Sequence, residues 1–171
     1  MEYIYIGKIT NTHGIKGEIR IISDFKYKEA VFKKNFKVYI GNKKEENIIN
    51  TYRFHKIYDM ITLVGINDIN DVLKYKGKNI YINKDDLKID GYLDEELINF
   101  SVFIKDKYLV VIKDVEKTKA HSILIIENDS KRCMVPNIDV FIEKISFEDN
   151  KLYLKNEEGL IYENWYINTI S

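Results

Sequence analysis

The sequence has few of the features that stabilise secreted proteins or anchor membrane proteins. Cys133 is the only cysteine, so the 171-residue chain forms no intramolecular disulfide, and no CxxC or Cys/His cluster indicates a structural zinc. The longest apolar runs, 109–112 and 123–126, fall far short of the roughly 20 residues that cross a bilayer. The N-terminus lacks the basic start and apolar core of a secretory signal. We therefore expect a cytoplasmic protein with no membrane span.

The motifs of common enzyme active sites are also missing. GxSxG, GKS/T, HExxH and GxGxxG do not occur, and these patterns place nucleophiles, phosphates, zinc or dinucleotides. The three histidines, His13, His55 and His121, lie in unrelated contexts, so the sequence brings no nucleophile, base and orienting group together. We expect a protein that is not an enzyme and that has no cofactor and no metal.

Net charge is a third absence. The chain has 27 Lys+Arg against 27 Asp+Glu, which argues against a uniformly basic nucleic-acid-binding protein. The sum hides an asymmetry, because residues 1–90 carry 17 basic and 12 acidic side chains, whereas residues 91–171 carry 10 and 15. The halves of +5 and −5 indicate two domains with two partners, or two faces of one assembly.

Short stretches rich in Ile, Val, Tyr and Phe that alternate with polar residues dominate the chain, as is typical of β-strands. The predicted strands are 3–9, 18–23, 37–41, 47–54, 60–65, 79–83, 102–104, 109–115, 122–127, 131–135 and 151–154. Few helical crossovers are available, so most pairing must be antiparallel. We predict a mainly β protein of two small antiparallel β-barrels, because closing a sheet removes its exposed edges.

Two segments have helical character. Apolar residues recur at helical spacing within 68–76, and Gly77 stands where a helix usually ends. A second short helix is predicted over 139–144, shortly after Pro136. The helical content is therefore expected to be small.

The most charged stretch, 84–96, separates the basic half from the acidic half. We place the division between the two domains there. The expected organisation is an N-terminal barrel over 1–86, a short charged linker over 87–96 and a second barrel over 97–171.

One local cluster stands out, the stretch GKITNTHGIKGEIRI over 7–21. Gly14 and Gly17 lie between two predicted strands, where glycine gives the backbone freedom for a turn or bulge. By themselves these residues indicate a barrel hairpin. The stretch resembles the N-terminal signature of the RimM family of ribosome maturation factors. In that signature a strand leads into HG, an apolar residue, a basic residue and GE, which here run from His13 to Glu18.

Two further blocks resemble the same family. Residues 65–77 look like the segment ahead of the last strand of its N-terminal domain. Residues 135–138, Phe141-Ile142 and 157–160 look like the end of its C-terminal PRC-barrel domain. The resemblance thus covers nearly the whole chain, and it implies a translation-factor-like barrel followed by a PRC barrel.

The linker departs from the family pattern. The family usually carries two adjacent aromatics before its second domain, and this chain has Tyr92-Leu93; Asn99 stands where a glycine is usual. The aromatic pair is implicated in docking onto the small ribosomal subunit, so the resemblance makes Tyr92 and Leu93 candidate docking residues. A linker aromatic packed between the barrels is an equally good interpretation of Tyr92.

The resemblance implies a non-enzymatic assembly factor that binds the maturing head of the small ribosomal subunit and supports processing of its 16S rRNA. The implied partner is the nineteenth protein of the small subunit, bound mainly through the PRC barrel, and we expect the factor to be a monomer. Lys8, Lys16 and Arg20 are candidate rRNA-facing residues, although a solvated lysine-rich surface is an equally good interpretation.

Two other functions remain open at this stage. A stand-alone RNA-binding barrel protein without a ribosomal-protein partner would need basic and stacking residues in both halves, and the acidic second half counts against it. A small enzyme with a barrel pocket for a flavin or nucleotide would need a glycine loop around phosphates, which the sequence lacks.

Overall fold

The computed structural model describes residues 1–128 and 132–155. The chain divides into two compact units, Met1–Asp90 and Gly91–Ser171, and each is built around a β-sheet. The prediction of a mainly β fold is therefore confirmed. The family-like block 157–160 and the first residue of the predicted strand 131–135 lie outside the described residues.

Six strands of the first unit close into a barrel in the order β1-β2-β5-β4-β3-β6, and every neighbouring pair is antiparallel. Alternate residues of the short strands point inward and are fully buried, such as Ile19 and Ile21, or Ile80 and Ile82, as the period of two requires. The strands are β1 (Tyr3–His13), β2 (Glu18–Ile22), β3 (Lys37–Ile40), β4 (Glu45–His55), β5 (Tyr58–Leu63) and β6 (Asn79–Asn83).

The helix predicted over 68–76 is wrong in type. The segment forms two 3₁₀ turns, Ile69–Asp71 and Leu73–Tyr75. Its backbone closes the short bonds of 3₁₀ turns, such as the one from the Val72 N–H to the Ile69 carbonyl at 3.1 Å. Both ends also bond to the barrel, because the Ile69 N–H donates to the Ile15 carbonyl and the Gly77 N–H donates to the Ile9 carbonyl, at 3.0 and 2.8 Å. A helix this short is marginal in isolation, so these tertiary bonds decide its geometry.

A short helix, α1 (Lys28–Val31), was not predicted from the sequence and is fixed by a buried carboxylate. Asp59 on β5 is fully buried and accepts hydrogen bonds from Lys28 Nζ and from the Tyr52 hydroxyl, both at 2.7 Å. Burial, together with the bond to Asp59, raises the pKa of Tyr52. A buried carboxylate needs such partners to offset its desolvation, so this cluster fastens α1 to the barrel wall.

The second unit contains a six-stranded sheet in the order β10-β9-β8-β7-β12-β11. Its pairs are antiparallel except β7 and β12, which are parallel and are joined through the four intervening strands, a connection long enough for parallel pairing. Within the described residues this sheet is a half-barrel, whereas the first is closed. The strands are β7 (Ser101–Ile104), β8 (Lys107–Lys117), β9 (Ser122–Glu127), β10 (Arg132–Pro136), β11 (Ile142–Ser146) and β12 (Lys151–Leu154).

The helix predicted over 139–144 is also wrong, because residues from Ile142 onward form β11. Only one helical turn precedes the strand, in which the N–H groups of Phe141 and Ile142 donate to the Ile138 carbonyl. Pairing with β12, including Ile142 opposite Leu154, satisfies the backbone beyond that turn.

Asn99 explains why glycine is usual at its position in the resembled family. Its φ is +73°, in the left-handed region that only Gly, and occasionally Asn or Asp, adopts readily. Its N–H donates to the Ile112 carbonyl at 2.8 Å. Asn99 therefore adopts a backbone conformation that favours glycine, and from it the N–H reaches β8.

Candidate functional site

The family-like turn joins two blocks that the sequence analysis singled out separately. Gly14 and Gly17 have φ values of +67° and +84°, which favour glycine. Gly17 is buried, and a Cβ on it would lie 3.1 Å from the Asp68 carbonyl oxygen, whereas a Cβ on Gly14 would meet nothing within 4 Å. The β1–β2 turn is therefore packed through Gly17 against the 3₁₀ segment that begins after Asp68.

Glu18, the last residue of the motif, is held by a residue that the sequence analysis missed. Arg53 on β4 donates from Nε to Glu18 Oε2 at 2.9 Å and from Nη2 to Oε1 at 2.6 Å. These bonds lower the pKa of Glu18. The two-pronged geometry is specific to arginine, and it ties β2 to β4 across the intervening β5.

The Arg20 side chain contacts two other side chains on the outside of the barrel. Its Nη2 lies 2.8 Å from His13 Nδ1, and because a guanidinium can only donate, the ring nitrogen accepts. The guanidinium carbon lies 5.4 Å from the ring centroid of Tyr58, within cation–π range. Its Nε is buried with no hydrogen-bond partner among the described residues. Arg20 thus positions His13 at the mouth of the turn.

The two candidate lysines are exposed but lie apart. Lys16 is at the tip of the turn beside Ile15, which is 82 % exposed. Lys8 is on β1, five residues before His13, or about 16 Å along the strand. The turn therefore presents one free cation and one apolar side chain together, while Lys8 belongs to another part of the barrel surface.

Tyr92 and Leu93 lie at the start of the second unit, just before a 3₁₀ turn over Asp94–Leu97. The Tyr92 ring is 5.1 Å from the Phe147 ring, and its hydroxyl accepts a hydrogen bond from Asn137 Nδ2 at 3.1 Å. Tyr92 is thus half-buried within its own unit, while the neighbouring Phe147 is 43 % exposed. The two rings form one aromatic surface, which the sequence spacing of 55 residues concealed.

Cys133 is buried in the core of the second unit, and burial raises the pKa of its thiol. Within residues 1–128 and 132–155, no three His, Cys, Asp or Glu side chains are placed to hold a metal ion. In that same described part of the chain, no helix has the length and apolar character needed to cross a membrane.

The two structural units match known families in sequence. Residues 4–87 match the family described as the RimM N-terminal domain, and residues 94–160 match the RimM PRC barrel domain. Among curated proteins, the chain is 35% identical over 167 residues to the ribosome maturation factor RimM of Ligilactobacillus salivarius, which covers 94% of this chain and 99% of that protein. It is 32% identical over 165 residues to that of Finegoldia magna, covering 94% and 100%.

Two solved structures are also similar. One is a putative 16S ribosomal RNA processing protein RimM from Pseudomonas aeruginosa, with 17% identity, a TM-score of 0.41 and coverage of 91% of this chain and 98% of that one. The other is the N-terminal domain of RimM from Thermus thermophilus, with 18% identity, a TM-score of 0.45 and coverage of 52% and 98%. By the sequence matches to both of its domains, the chain belongs to the RimM family.

Proposed function

We propose that this protein is a non-enzymatic maturation factor that binds the head of the assembling small ribosomal subunit through a ribosomal protein and supports 16S rRNA processing. The observation that carries the proposal is that both RimM domains are present in order, over residues 4–87 and 94–160. Curated relatives that match along nearly their whole length are named ribosome maturation factors.

The charge of the two units supports a division of labour between them. Met1–Asp90 has 17 basic and 12 acidic residues, and Gly91–Ser171 has 10 and 15. The acidic second unit suits a basic head protein, for which the nineteenth small-subunit protein is our candidate, and the basic first unit suits nearby rRNA phosphate. Complementarity of this kind steers encounter and orientation.

Exposed carboxylates on the second unit are available for such a partner. Glu127, Asp139 and Glu143 are exposed, and none forms an ion pair with another described residue. By contrast, Glu116 is engaged by Arg132 at 3.0 Å, and Glu95 is engaged by Lys117. The first three are therefore among the carboxylates that a basic partner reaches without breaking an existing ion pair.

Docking onto the subunit uses the aromatic surface at the start of the second unit. Tyr92 supplies one ring and Phe147 the second, with Leu93 beside them in place of the second family aromatic. Rings with an apolar body and a polar edge suit such an interface. Release follows when the mature head no longer offers the same surface, since a ligand shifts an equilibrium only by its differential affinity.

Co-sedimentation of the tagged full-length chain with ribosomal fractions at near-physiological salt tests the proposal. We expect recovery with free or immature small subunits and not with large subunits. Equal binding to large subunits, or binding to neither, contradicts a small-subunit maturation factor.

A second experiment tests the division of labour. The triple variant Glu127→Lys, Asp139→Lys and Glu143→Lys should weaken binding to the purified head protein, and the loss should be larger at low salt because screening weakens charge contacts. The matched control reverses Lys8 and Lys16 on the first unit and should leave that binding unchanged. Equal losses in both variants contradict the assignment of the partner to the second unit.

A further inference from the structure

Four tyrosines cluster on the outer wall of the first barrel and take no part in the contacts of the β1–β2 turn described above. Tyr3 and Tyr5 on β1 lie beside Tyr39 on β3 and Tyr81 on β6, and the register places both Tyr5 and Tyr39 opposite Tyr81. The rings meet edge to face, with centroids 5.1 Å apart for Tyr3 and Tyr39 and 6.0 Å for Tyr5 and Tyr81. We call these four residues the tyrosine face.

The outermost rings of the tyrosine face are open to solvent. Tyr5 is 51 % exposed and Tyr3 is 37 % exposed, while Tyr39 is only 4 % exposed and supports Tyr3 from below. Adjacent exposed aromatics on a folded protein mark an interaction site, since each ring offers a large apolar surface together with a polar hydroxyl.

Cations lie within and beside the tyrosine face. Lys44 Nζ is 4.0 Å from the Tyr81 ring centroid and 5.5 Å from that of Tyr3. A register shift between Tyr5 and Gly7 brings exposed Lys8 opposite Asn79, two residues along β6 from Tyr81, or about 6.6 Å. The bulge therefore turns Lys8 to the same side as the rings.

Both lysines and carboxylates border the tyrosine face. A cleft of about 450 Å³ is lined by Lys43, Lys78 and Glu45, and Glu45 is already paired with a lysine at 2.8 Å. Glu46 is held by Lys37 at 3.4 Å, and Asp24 acts on Tyr5 electrostatically. Asp86 acts on Tyr39 in the same way. The lysines beside the rings still outnumber these carboxylates, two of which are paired with lysines, and this favours an anionic ligand.

We propose that the tyrosine face binds a single-stranded segment of RNA, with bases stacked on Tyr5 and Tyr3 and phosphates near Lys44 and Lys8. Rings that stack bases within a basic surface are how proteins hold single strands without reading sequence. The identity of this RNA as rRNA of the maturing subunit rests on the proposed function.

The distance between the two rings favours an RNA strand whose consecutive bases are not stacked on each other. Tyr3 and Tyr5 are two residues apart on one side of β1, so their Cα atoms are separated by about 6.6 Å, roughly twice the 3.4 Å rise of a stacked strand. Consecutive bases must therefore be splayed to meet both rings. A duplex buries its base faces and offers mainly phosphate and sugar, so the rings would add nothing to its binding.

Fluorescence anisotropy with a 5′-labelled 12-nucleotide single-stranded RNA of mixed sequence tests the proposal on the full-length chain. Tyr5→Leu, which keeps an apolar side chain and removes the ring, should raise Kd about tenfold, or about 1.4 kcal/mol. Tyr5→Phe keeps the ring and should stay within about twofold. The matched control is Tyr108→Leu on the second unit, where Tyr108 is 53 % exposed, and it should leave Kd unchanged.

Salt dependence provides a test that leaves all four tyrosines in place. Lys44→Gln should reduce the slope of log Kd against log salt by about one, because one phosphate contact is lost. Tyr5→Leu binding as tightly as wild type overturns the proposal. So does a 12-base-pair RNA duplex that binds as tightly as the single strand and loses as much affinity on Tyr5→Leu.

Co-sedimentation with small subunits separates this proposal from the proposed function. A wild-type chain that binds subunits but not the 12-nucleotide RNA overturns the tyrosine face alone. A chain that binds the RNA through Tyr5 but does not bind subunits overturns the maturation role alone. Loss of subunit binding in Tyr5→Leu with unchanged RNA affinity identifies the face as a protein-binding surface and overturns the RNA assignment.

Discussion

Replacing Gly17 with alanine should destabilise the first barrel more than the same change at Gly14, although both glycines belong to one turn. Both have positive φ values, +84° and +67°, so each substitution incurs the left-handed cost of about 1 kcal/mol. Gly17 has a second cost, because its new Cβ would lie 3.1 Å from the Asp68 carbonyl oxygen.

The Asp68 carbonyl has little freedom to retreat from that contact. It accepts a hydrogen bond from the Asp71 N–H at 3.1 Å, and the next residue, Ile69, bonds to the turn itself through the Ile15 carbonyl at 3.0 Å. Moving it weakens at least one hydrogen bond, at about 1 kcal/mol. We therefore expect Gly17→Ala to lower the free energy of unfolding by about 2 kcal/mol and Gly14→Ala by about 1 kcal/mol.

Urea denaturation followed by circular dichroism measures both variants against wild type, and an unchanged m-value confirms that the folded and unfolded states stay comparable. The difference between the two variants isolates the contact with Asp68 from the backbone conformation that they share. If Gly17→Ala costs no more than Gly14→Ala, the turn is not packed on the 3₁₀ segment as we describe.

Three further predictions concern stability, each measured by urea or pH denaturation. Lys28→Met should cost about 3 kcal/mol because it leaves the fully buried Asp59 without its cation, and a neutral result contradicts the anchoring of α1. The hydrogen bond from Arg53 lowers the pKa of Glu18 below 4.5, so this carboxylate stabilises the fold above pH 4.5 and ceases to do so as pH falls through its folded-state pKa. Glu18→Gln should therefore reduce the loss of stability on acidification. An unchanged loss of stability at low pH refutes this contribution of Glu18. Asn99 has a φ of +73°, so Asn99→Gly should leave the free energy of unfolding unchanged, whereas Asn99→Ala should lower it by about 1 kcal/mol. Equal effects of the two substitutions show that the left-handed backbone at this position does not affect stability.

Strand content was predictable from the sequence because alternation directly records which side of a sheet is buried. The segments 79–83, 122–127 and 151–154 form strands with the predicted bounds, since Gly, Asn or Asp residues flank them and stop the pattern. The strand β1 instead continues to His13, because a register shift between Ile9 and Asn11 lets the polar residues that follow stay paired with β2.

The missed elements depend on long-range contacts. The α1 helix depends on Asp59, which lies 31 residues from Lys28, and β11 depends on pairing with β12. Local patterns favour a helix in 68–76, but hydrogen bonds to the barrel override them.

The local motif was enough to locate much of the candidate site in the sequence. The contacts among the side chains of the site could not be predicted from that motif. His13, Gly14, Gly17 and Glu18 are adjacent in sequence and in space. The partner of Glu18 is Arg53, 35 residues away, and only the register across β5 brings the two together. The signal available in advance was composition: arginine occurs three times among 27 basic residues, and two of the three lie in this cluster.

Depletion of the protein in the organism that encodes it, followed by mapping of the 16S rRNA ends, tests its role in small-subunit maturation most directly. We expect unprocessed small-subunit rRNA precursor and free small subunits to accumulate. Expression of the wild-type chain should reverse both effects. Normal rRNA ends and a normal ratio of subunits after depletion would refute a role of this protein in small-subunit maturation.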